Sequence, residues 1–416
     1  MSDKSLDCVI IGGGPAGATA ATVLAQLGRR VRVLEKGHFP RPHIGESLMP
    51  QTYWTFKRIG MLDKLRRTDF PRKQSVQFVS ASGNESQPFY FPDFDPGDHS
   101  TTWQVSRPEF DKLMLDNARD HGVEVTEGAM VDRVLFEGKR AVGVGAVVDG
   151  TAQEITAKVV VDATGQSAIL SRQLNLRETD EKLKNASIYA YYKGAQRDSG
   201  RNAGATVIIY TPSGNGWFWS IPLPDEVTSI GLVAPPEALW SSEGDDLQAK
   251  FEEAIRACPG MASRLANASQ IGAVTVTKDF SYRASRLAGD GWVLIGDAFG
   301  FLDPIYSSGV MLALKSGELA ADAIHEALEA DDLSGARLGR FAPQFADGMQ
   351  TIRQLVHAFY DPNFSFAKFS REYPEQTSHI VRILIGDVFN DEVGKVFEVM
   401  RSWIDLPEPI PLQTGA

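Results

Sequence analysis

The apolar positions near the start of the chain form two short unbroken runs, separated by a glycine-rich turn and a stretch of small residues. Unbroken apolar runs of this length are typical of strands buried in a parallel sheet. We predict a strand over residues 6–11, a turn over 12–17, a helix over 18–27 and a strand over 31–34 that ends in Glu35. The chain is therefore expected to open with a strand–helix–strand unit.

The pattern after this unit changes between helices, buried strands and strands with alternating polar positions. Helices are predicted at 51–64, 105–121 and 309–328, and strands at 76–79, 89–91, 123–126, 130–137, 141–148 and 157–161. Residues 185–279 alternate over long stretches, which indicates a broad antiparallel sheet. A buried strand character returns at 291–297, and the residues after 330 are mostly helical in pattern.

These elements predict an α/β fold with an inserted antiparallel β-sheet and a C-terminal helical region. We assign a nucleotide-binding domain to residues 1–70, 105–180 and 280–330, a β-rich substrate domain to 71–104 and 181–279, and the helical region to 331–416. A chain of 416 residues is longer than one ordinary core supports, which favours more than one domain.

Composition excludes several classes of binding partner but does not identify a chemical activity. The formal net charge is −11 and no basic cluster stands out, so nucleic acid and anionic membrane surfaces are poor partners. The two cysteines, Cys8 and Cys258, form no metal-type spacing, and we expect neither a metal site nor a disulfide framework. No leader sequence or membrane-spanning run is recognised, so a cytoplasmic enzyme is expected.

The glycine-rich turn carries the first chemical signal, because its spacing is that of a dinucleotide-binding loop followed by a helix and an acid. Gly12 suits the tight turn, Gly14 lets the backbone approach a pyrophosphate, and Gly17 lets the helix pack closely on the strand. The helix amino end would hold phosphate through free N–H groups. The predicted contacts are Gly12, Gly14, Pro15, Ala16, Gly17, Glu35 and Lys36.

Two later strand ends also place a carboxylate beside small residues. Asp297 follows Gly296, and Asp162 opens the sequence Asp-Ala-Thr-Gly that includes Ala163 and Gly165. Together with Arg107 at a helix start, these motifs resemble the Rossmann-like FAD-binding domain of the GR2/PHBH type found in flavin monooxygenases. The resemblance implies FAD as the cofactor, with Arg107, Asp162, Ala163, Gly165 and Asp297 among its contacts.

Two further segments resemble the flavin-dependent halogenases of the phenol and pyrrole type. One is Trp217-Phe218-Trp219-Ser220-Ile221-Pro222, in which the two indoles share one strand face. On spacing alone, these aromatic side chains could simply fill the core. The other is the sequence from Asp303 to Val310, Asp-Pro-Ile-Tyr-Ser-Ser-Gly-Val, at a helix amino terminus. Segments near Tyr360 and Ile385 also resemble the carboxy-terminal helices of that family.

The resemblance implies roles for individual residues of these segments. Ser308 and Gly309 would bind halide and face reduced flavin at the helix amino end, where free N–H groups attract anions. A helix-capping role for the serine is compatible with that one. Lys73 would receive hypohalous acid, and Trp217 and Trp219 would keep the organic substrate off the flavin. Further cofactor contacts are implied for Pro304, Val310, Glu46 and Ser47.

Several alternatives stay open at this point. Lys73 could be a solvated surface lysine, and its neighbour Arg72 leaves the alignment ambiguous by one position. Glu46 could be only an acid that caps the following helix. Met311 stands where relatives acting on carrier-bound substrates often have a polar residue, and the carboxy-terminal extension is short, which puts a carrier-docking region in doubt.

The implied reaction uses O2, halide (chloride or bromide) and FAD that is reduced by a separate flavin reductase, because no second dinucleotide motif is found. The substrate would be an electron-rich aromatic such as a phenol, pyrrole or indole, free or carrier-bound. Tryptophan is not expected, since the region around Ser308 has no Glu that corresponds to the active-site acid of the tryptophan halogenases. The alternatives are a flavin hydroxylase or geranylgeranyl-reductase-like enzyme that oxidises NAD(P)H directly, and a non-catalytic flavoprotein.

Overall fold

A computed structural model describes residues 6–240, 246–390 and 392–413. Its strands are β1 Leu6–Ile11, β2 Val31–Glu35, β3 Arg72–Lys73, β4 Ser75–Val79, β5 Phe89–Tyr90, β6 Thr102–Trp103, β7 Glu124–Glu127, β8 Met130–Glu137, β9 Arg140–Val148, β10 Thr151–Asp162, β11 Arg177–Lys193, β12 Thr206–Tyr210, β13 Trp217–Pro222, β14 Val227–Ala234, β15 Ser269–Ala284, β16 Ala288–Gly289, β17 Trp292–Leu294 and β18 Gly300–Phe301.

The helices are α1 Pro15–Gln26, α2 Thr52–Arg58, α3 Leu62–Arg66, α4 Phe91–Phe94, α5 Arg107–Asp120, α6 Ile169–Gln173, α7 Pro236–Leu239, α8 Leu247–Ala257, α9 Pro259–Arg264, α10 Gly309–Glu329, α11 Gly335–Leu338, α12 Ala342–Tyr360, α13 Phe366–Glu372, α14 Thr377–Ile385 and α15 Val396–Met400. Within the described residues, no helix is both long enough and apolar enough to cross a bilayer.

The first sheet has the strand order β16-β17-β10-β1-β2-β7, with β8 and β9 extending from β10. Its central pairs are parallel, and Ile11 of β1 is aligned with both Leu34 of β2 and Asp162 of β10. The carboxyl ends of these strands therefore meet at one edge, which is where ligands bind in open α/β sheets. This edge carries the glycine-rich turn.

The second sheet has the order β18-β15-β11-β14-β13-β12-β4-β5. It is mixed, because β4 runs parallel to β12 with Val76 opposite Thr206, whereas the remaining pairs are antiparallel. The prediction of a purely antiparallel sheet is wrong at this one pair. β4 belongs to the earlier segment 71–104 and is not joined to β12 by a hairpin, so a tight turn does not fix its direction.

The two faces of β13 enter different cores, as the alternation of its side chains requires. Trp217, Trp219 and Ile221 join the main hydrophobic cluster, whereas Phe218 faces a smaller cluster beneath α8 and packs near Phe251. The predicted sharing of one face by the two indoles is therefore confirmed.

The longest helix, α10, packs directly on α1 near the glycine-rich turn. A Cβ on Gly317 would lie 2.6 Å from the carbonyl oxygen of Ala16, and a Cβ on Gly296 would lie 3.0 Å from the Ala16 side chain. Glycine permits both close approaches. The turn that carries Asp297 is thereby wedged between the amino-terminal parts of the two helices.

Candidate active site

The glycine-rich turn is built so that two of its glycines cannot be replaced. Gly12 has a φ of +103°, and a Cβ there would lie 2.4 Å from the carbonyl oxygen of Ala163. A Cβ on Gly17 would lie 2.0 Å from the carbonyl oxygen of Gly12. Gly14 differs, because the nearest atom to an added Cβ is the Arg41 Nη2 at 3.7 Å. The side of Gly14 is thus open, as a phosphate-binding loop requires.

The amino end of α1 lies at this opening. Gly14 precedes the helix and Pro15 occupies its first turn, and no side chain of the described residues caps the free backbone N–H groups. Lys36 lies nearby in sequence and is exposed. The backbone thereby presents unsatisfied donors and a positive dipole end to any anion in the groove.

Glu35 braces the turn from the second strand. Its Oε2 accepts a hydrogen bond from the Gly13 N–H at 2.8 Å, and its Oε1 accepts one from the Gly37 N–H at 2.8 Å. Arg41 Nε lies 3.6 Å from Oε1. Each carboxylate oxygen has a second lone pair, so a ribose hydroxyl could still be accepted.

The two predicted strand-end acids have different surroundings. The Asp162 carboxylate accepts hydrogen bonds from the Thr164 N–H at 2.9 Å, the Thr164 hydroxyl at 2.7 Å and the Leu170 N–H at 2.8 Å. Asp162 therefore organises its own turn, in which Ala163 packs against Gly12 and Gly165 has a φ of +62° with open space beside it.

The Asp297 carboxylate, in contrast, accepts no hydrogen bond from the described residues. Burial raises the pKa of Asp297 to about 6, and the Arg107 charge acts in the opposite direction. The side chain is half-buried, and a carboxylate that is partly removed from water without a hydrogen bond is costly unless a donor reaches it. Free backbone donors at α1 and a free acceptor at Asp297 fit a molecule that carries both phosphate and hydroxyl groups. The residues present thus fit FAD.

Arg107 is occupied by protein groups. It forms a bidentate pair with Asp111 at 2.7 and 3.0 Å, and its Nη1 donates to the carbonyl oxygens of Ile44 and Gly45. Gly45 has a φ of +98°, and a Cβ there would lie 3.0 Å from this guanidinium. Arg107 therefore fixes the 44–48 loop, and its direct contact with a cofactor stays a prediction.

The amino end of α10 has the features of an anion site. Ser307 adopts a left-handed conformation with φ +58°, and Ser308 precedes the 21-residue helix. The Ser308 Oγ is buried and has no hydrogen-bond partner among the described residues. A Cβ on Gly309 would meet no atom of the described residues within 4 Å. An unused hydroxyl, open space and a helix dipole together favour a bound anion.

The turn before α10 is held by a hydrogen-bond chain that joins both halogenase-like segments. Trp217 Nε1 donates to the Tyr360 hydroxyl oxygen at 2.8 Å, and that hydroxyl donates to Asp303 Oδ2 at 2.9 Å. Asn185 donates to the same oxygen at 2.8 Å, while Asp303 Oδ1 accepts the Ile305 N–H at 3.1 Å. Pro304 opens this turn, and Val310 is buried just beyond it.

Sequence reasoning assigned no role to Tyr360. The residue lies at the end of α12, far along the chain from both segments that it joins. The one sequence signal at this residue is that the segment around it resembles the carboxy-terminal helices of the halogenases. The other indole, Trp219, is held separately, since its Nε1 donates to Ser229 Oγ at 3.0 Å. The ring centroids of the two indoles lie 6.2 Å apart.

Lys73 is almost wholly buried, with 2% of its surface exposed. Its Nζ donates to Ser47 Oγ at 2.8 Å and to the Leu48 carbonyl oxygen at 3.0 Å, and it lies 5.6 Å from the centre of the Phe91 ring. Burial lowers the pKa of Lys73 to about 7. Arg72 is exposed and stacks over Trp103, so Lys73 alone of this pair is buried.

Glu46 and Ser47 lie on the same loop but have different contacts. Glu46 is hydrogen-bonded to the Ser229 and Tyr191 hydroxyls, and burial raises the pKa of Glu46 to about 7. Its Oε2 has no partner within the described part of the chain. Ser47 contacts the Lys73 amine. Their predicted contacts with the cofactor stay predictions, while the structure places both beside the indole and lysine groups.

The fold and the glycine-rich site define an FAD-dependent oxidoreductase, and residues 7–173 match the FAD dependent oxidoreductase family model. Residues 92–366 match the model of the tryptophan halogenase family. The chain belongs to this family, the flavin-dependent halogenases. It is an enzyme that uses reduced FAD, O2 and halide, as predicted, and the hydroxylase and reductase alternatives are not favoured.

Three similar proteins extend over nearly the whole chain. A 1H-pyrrole-2-carbonyl peptidyl-carrier-protein chlorinase of Pseudomonas fluorescens is 32% identical over 99% of this chain and 96% of its own. The corresponding brominase of Pseudoalteromonas luteoviolacea is 34% identical over 97% of both chains. The solved flavin-dependent brominase Bmp2 is 32% identical, with a TM-score of 0.86 over 96% of this chain and 98% of that one.

Proposed function

We propose that this enzyme halogenates an electron-rich aromatic ring of the pyrrole class, presented on a carrier protein, with Lys73 as the group that delivers the halogen. The pyrrole and carrier elements are supported by two relatives that are named for such substrates and matched over 96% and 97% of their own lengths. These two proteins therefore handle carrier-bound substrates with little chain beyond the matched part. The exclusion of tryptophan stays a prediction.

The observation that carries the proposal is the buried amine of Lys73. Lysine is rarely buried without a partner ion, and no charged side chain of the described residues contacts its Nζ. An amine with a pKa near 7 has a substantial neutral fraction at physiological pH, and the neutral amine is the reactive nucleophile. A solvated structural lysine would not have these properties.

The flavin, when bound and reduced, supplies with O2 the oxidising power that converts halide into hypohalous acid. The chain's own residues place the halide and separate the substrate from the cofactor. The Ser308 hydroxyl and the free N–H groups at the start of α10 hold the halide. Trp217 and Trp219, fixed by their indole hydrogen bonds, form an apolar wall that keeps the aromatic substrate apart from the cofactor.

The Lys73 amine then orients hypohalous acid toward the ring. The ring's electron pair forms the carbon–halogen bond while the halogen–oxygen bond breaks and its electrons stay on oxygen. The oxygen leaves as water with the proton that the ring carbon releases. Because one dinucleotide motif is found, we propose that a separate flavin reductase supplies the electrons. NADH oxidation that requires an added reductase would support this arrangement.

Replacement of Lys73 by Met tests the proposed role directly. We expect Lys73→Met to lose at least about 100-fold in the rate of halogenated product, since removal of a group that orients the reactant typically has effects of this size. FAD binding and the rate of reduced-flavin oxidation should be kept. Product is measured by mass spectrometry with a carrier-bound pyrrole acyl substrate, added reductase, NADH and bromide.

Lys395→Met is the matched control, because Lys395 is exposed and its ion pair among the described residues is with Glu392. It should behave as the wild type in both assays. If Lys73→Met halogenates at the wild-type rate while it binds FAD normally, the proposed delivery through this amine is wrong.

A further inference from the structure

The Lys73 amine lies at one end of a buried hydrogen-bond chain drawn from separate parts of the sequence. Ser47 Oγ accepts from Lys73 and lies 2.8 Å from Thr206 Oγ1. Gln104 Nε2 donates to Thr206 Oγ1 at 2.9 Å and to the Gly204 carbonyl oxygen at 2.9 Å. All four side chains of the chain are at most 5% exposed.

The donor and acceptor directions in this hydrogen-bond chain leave one hydroxyl proton without an acceptor among the described residues. Both N–H groups of the Gln104 amide are taken, so Thr206 Oγ1 accepts from Gln104, and Ser47 Oγ accepts from Lys73. Ser47 and Thr206 have two hydroxyl protons between them, and their mutual bond uses one. The other proton has no acceptor among the described residues.

The same contacts orient the amine itself. A neutral amine has two N–H groups, which the Ser47 hydroxyl and the Leu48 carbonyl oxygen both accept, so its lone pair is left free. A protonated amine would instead have one N–H group left to donate. In either state, the acceptors at Ser47 and Leu48 decide where the reactive side of Nζ points.

The surroundings contain further unsatisfied polar atoms. Thr102 Oγ1 and Gln104 Oε1 are buried and unpartnered within the described residues, and Thr102 lies opposite Lys73 in the β3–β6 pair. Residues 102 and 104 are two apart on an extended segment, so they share one face. Buried polar atoms without partners are costly, which indicates that a small polar molecule is accepted there.

We propose that Ser47 is a positioning residue for Lys73, and that the Ser47–Thr206 hydroxyl pair, held by Gln104, donates a hydrogen bond to the oxygen of hypohalous acid beside the amine. This inference rests on the proposed role of Lys73. As the halogen moves to the ring carbon and the halogen–oxygen bond breaks, the hydrogen bond stabilises the charge that develops on oxygen. Sequence reasoning assigned Ser47 to the cofactor instead.

The experiment separates these two roles by following where the oxidant goes. Ser47→Ala and Thr206→Val each remove one hydroxyl, Ser47→Thr keeps it, and Ser75→Ala is the control, because Ser75 is buried but bonds to Asn202 instead. Each variant is assayed with reductase, NADH and bromide for brominated product. A diffusible thioether in the solution captures hypohalous acid that escapes.

For Ser47→Ala, we expect product to fall about tenfold, because a hydrogen bond to a charged or developing charge is worth about that factor. Escaped oxidant should rise, so that product and captured oxidant together stay at the wild-type level. Thr206→Val should show the same shift in smaller degree, and Ser47→Thr should restore the product. Thr206→Val also serves if Ser47→Ala fails to fold.

A second measurement needs neither flavin nor turnover. Loss of the Ser47 acceptor disfavours the ammonium form, so Ser47→Ala should shift the titration of the Lys73 side chain to lower pH. This is followed by NMR of lysine labelled with carbon-13 at Cε. Among the described residues, the groups around Nζ are the Ser47 hydroxyl, the Leu48 carbonyl and the Phe91 ring, and Thr102 is paired with Lys73 across the two short strands; none of these groups is charged.

Two results for Ser47→Ala would overturn the inference. Ser47→Ala could match Ser75→Ala in product and in the Lys73 titration. Product and captured oxidant could also fall together, which would assign Ser47 to the cofactor. If Lys73→Met itself leaves halogenation unchanged, the proposed function fails first; if only Lys73→Met abolishes it, this inference alone is wrong.

Discussion

At the residue scale, the Lys73 amine that we assign to halogen delivery also destabilises the fold. Burial holds its pKa near 7, whereas a lysine in the unfolded chain titrates near 10.4. Below about pH 7, both states carry the proton and the full cost of burying the charge is present. That cost is lost as the pH rises toward the unfolded pKa, because the unfolded state then loses its proton as well.

Lys73→Met is therefore expected to change stability in a pH-dependent way. The free energy of unfolding of the variant relative to the wild type should fall by at most about 4 kcal/mol from pH 6 to pH 10. Thermal or denaturant unfolding at both pH values measures this, with Lys395→Met as the control. A stability difference between variant and wild type that is equal at both pH values would contradict the buried, shifted amine.

The contacts of Lys73 illustrate which residues a sequence can assign. The sequence pattern before β4 indicated a functional lysine at position 73, but no local feature showed that Lys73, and not its neighbour Arg72, is the buried residue. The distinction comes from β3, whose two residues point to opposite sides, so Arg72 is exposed and Lys73 is buried. Ser47, Gln104 and Thr206 could not be found this way, because tertiary packing brings them together from three distant segments.

At the element scale, the strand–turn–helix unit at Gly12 was predictable because its demands are local. Gly12 and Gly17 are required by close backbone contacts, whereas Gly14 faces the open groove. Substitutions at these positions can therefore separate cofactor binding from folding. The longer-range elements were less predictable. The predicted helix 51–64 is in fact α2 and α3, separated at Gly60 with φ +75°, and β5 is followed at once by the Pro92-containing α4.

Gly14→Ala and Gly17→Ala should separate cofactor binding from folding. Within the described part of the chain, the added methyl at Gly14 meets Arg41 alone and at an ordinary distance, so stability should change by less than about 1 kcal/mol. FAD affinity should fall about tenfold or more, because the methyl enters the groove where the pyrophosphate is expected. Gly17→Ala forces a 2.0 Å contact with backbone and should unfold the domain.

The measurements are a thermal melt of the apoprotein and an FAD titration followed by flavin fluorescence. Gly28→Ala is a useful reference, because Gly28 has a positive φ and no atom of the residues that the structure describes lies within 4 Å of an added Cβ. It should lose stability from backbone strain alone and keep its FAD affinity. Unchanged FAD affinity in Gly14→Ala would show that the cofactor does not lie against this glycine.

At the scale of the whole molecule, the proposed carrier-bound substrate makes the partner part of the specificity. A pyrrole acyl group tethered to its carrier arrives with binding energy that the free acid lacks. We expect kcat/KM for a carrier-loaded pyrrole-2-carbonyl group to exceed that for free pyrrole-2-carboxylate by about 100-fold or more. A short thioester without the carrier distinguishes the contribution of the thioester bond.

The comparison is made by mass spectrometry of released acyl groups under identical reductase, NADH and bromide concentrations. Equal kcat/KM for the carrier-loaded group and the free acid would be compatible with halogenation but would contradict the proposal that the substrate is presented on a carrier. A Met311→Ser variant adds a check on the departure noted at that position. It should leave the preference unchanged, since Met311 is buried against Gly386 rather than at the surface.

The bond chain from Trp217 through Tyr360 to Asp303 has a consequence for how such enzymes diverge. One phenol ties the carboxy-terminal segment to two widely separated signature sequences, so that segment is not an independent module. An evolutionary exchange of this segment, or a grafted one in a chimaera, has to bring its own hydroxyl to the same spot. Otherwise, a graft that folds well would leave an indole and a carboxylate without their shared link.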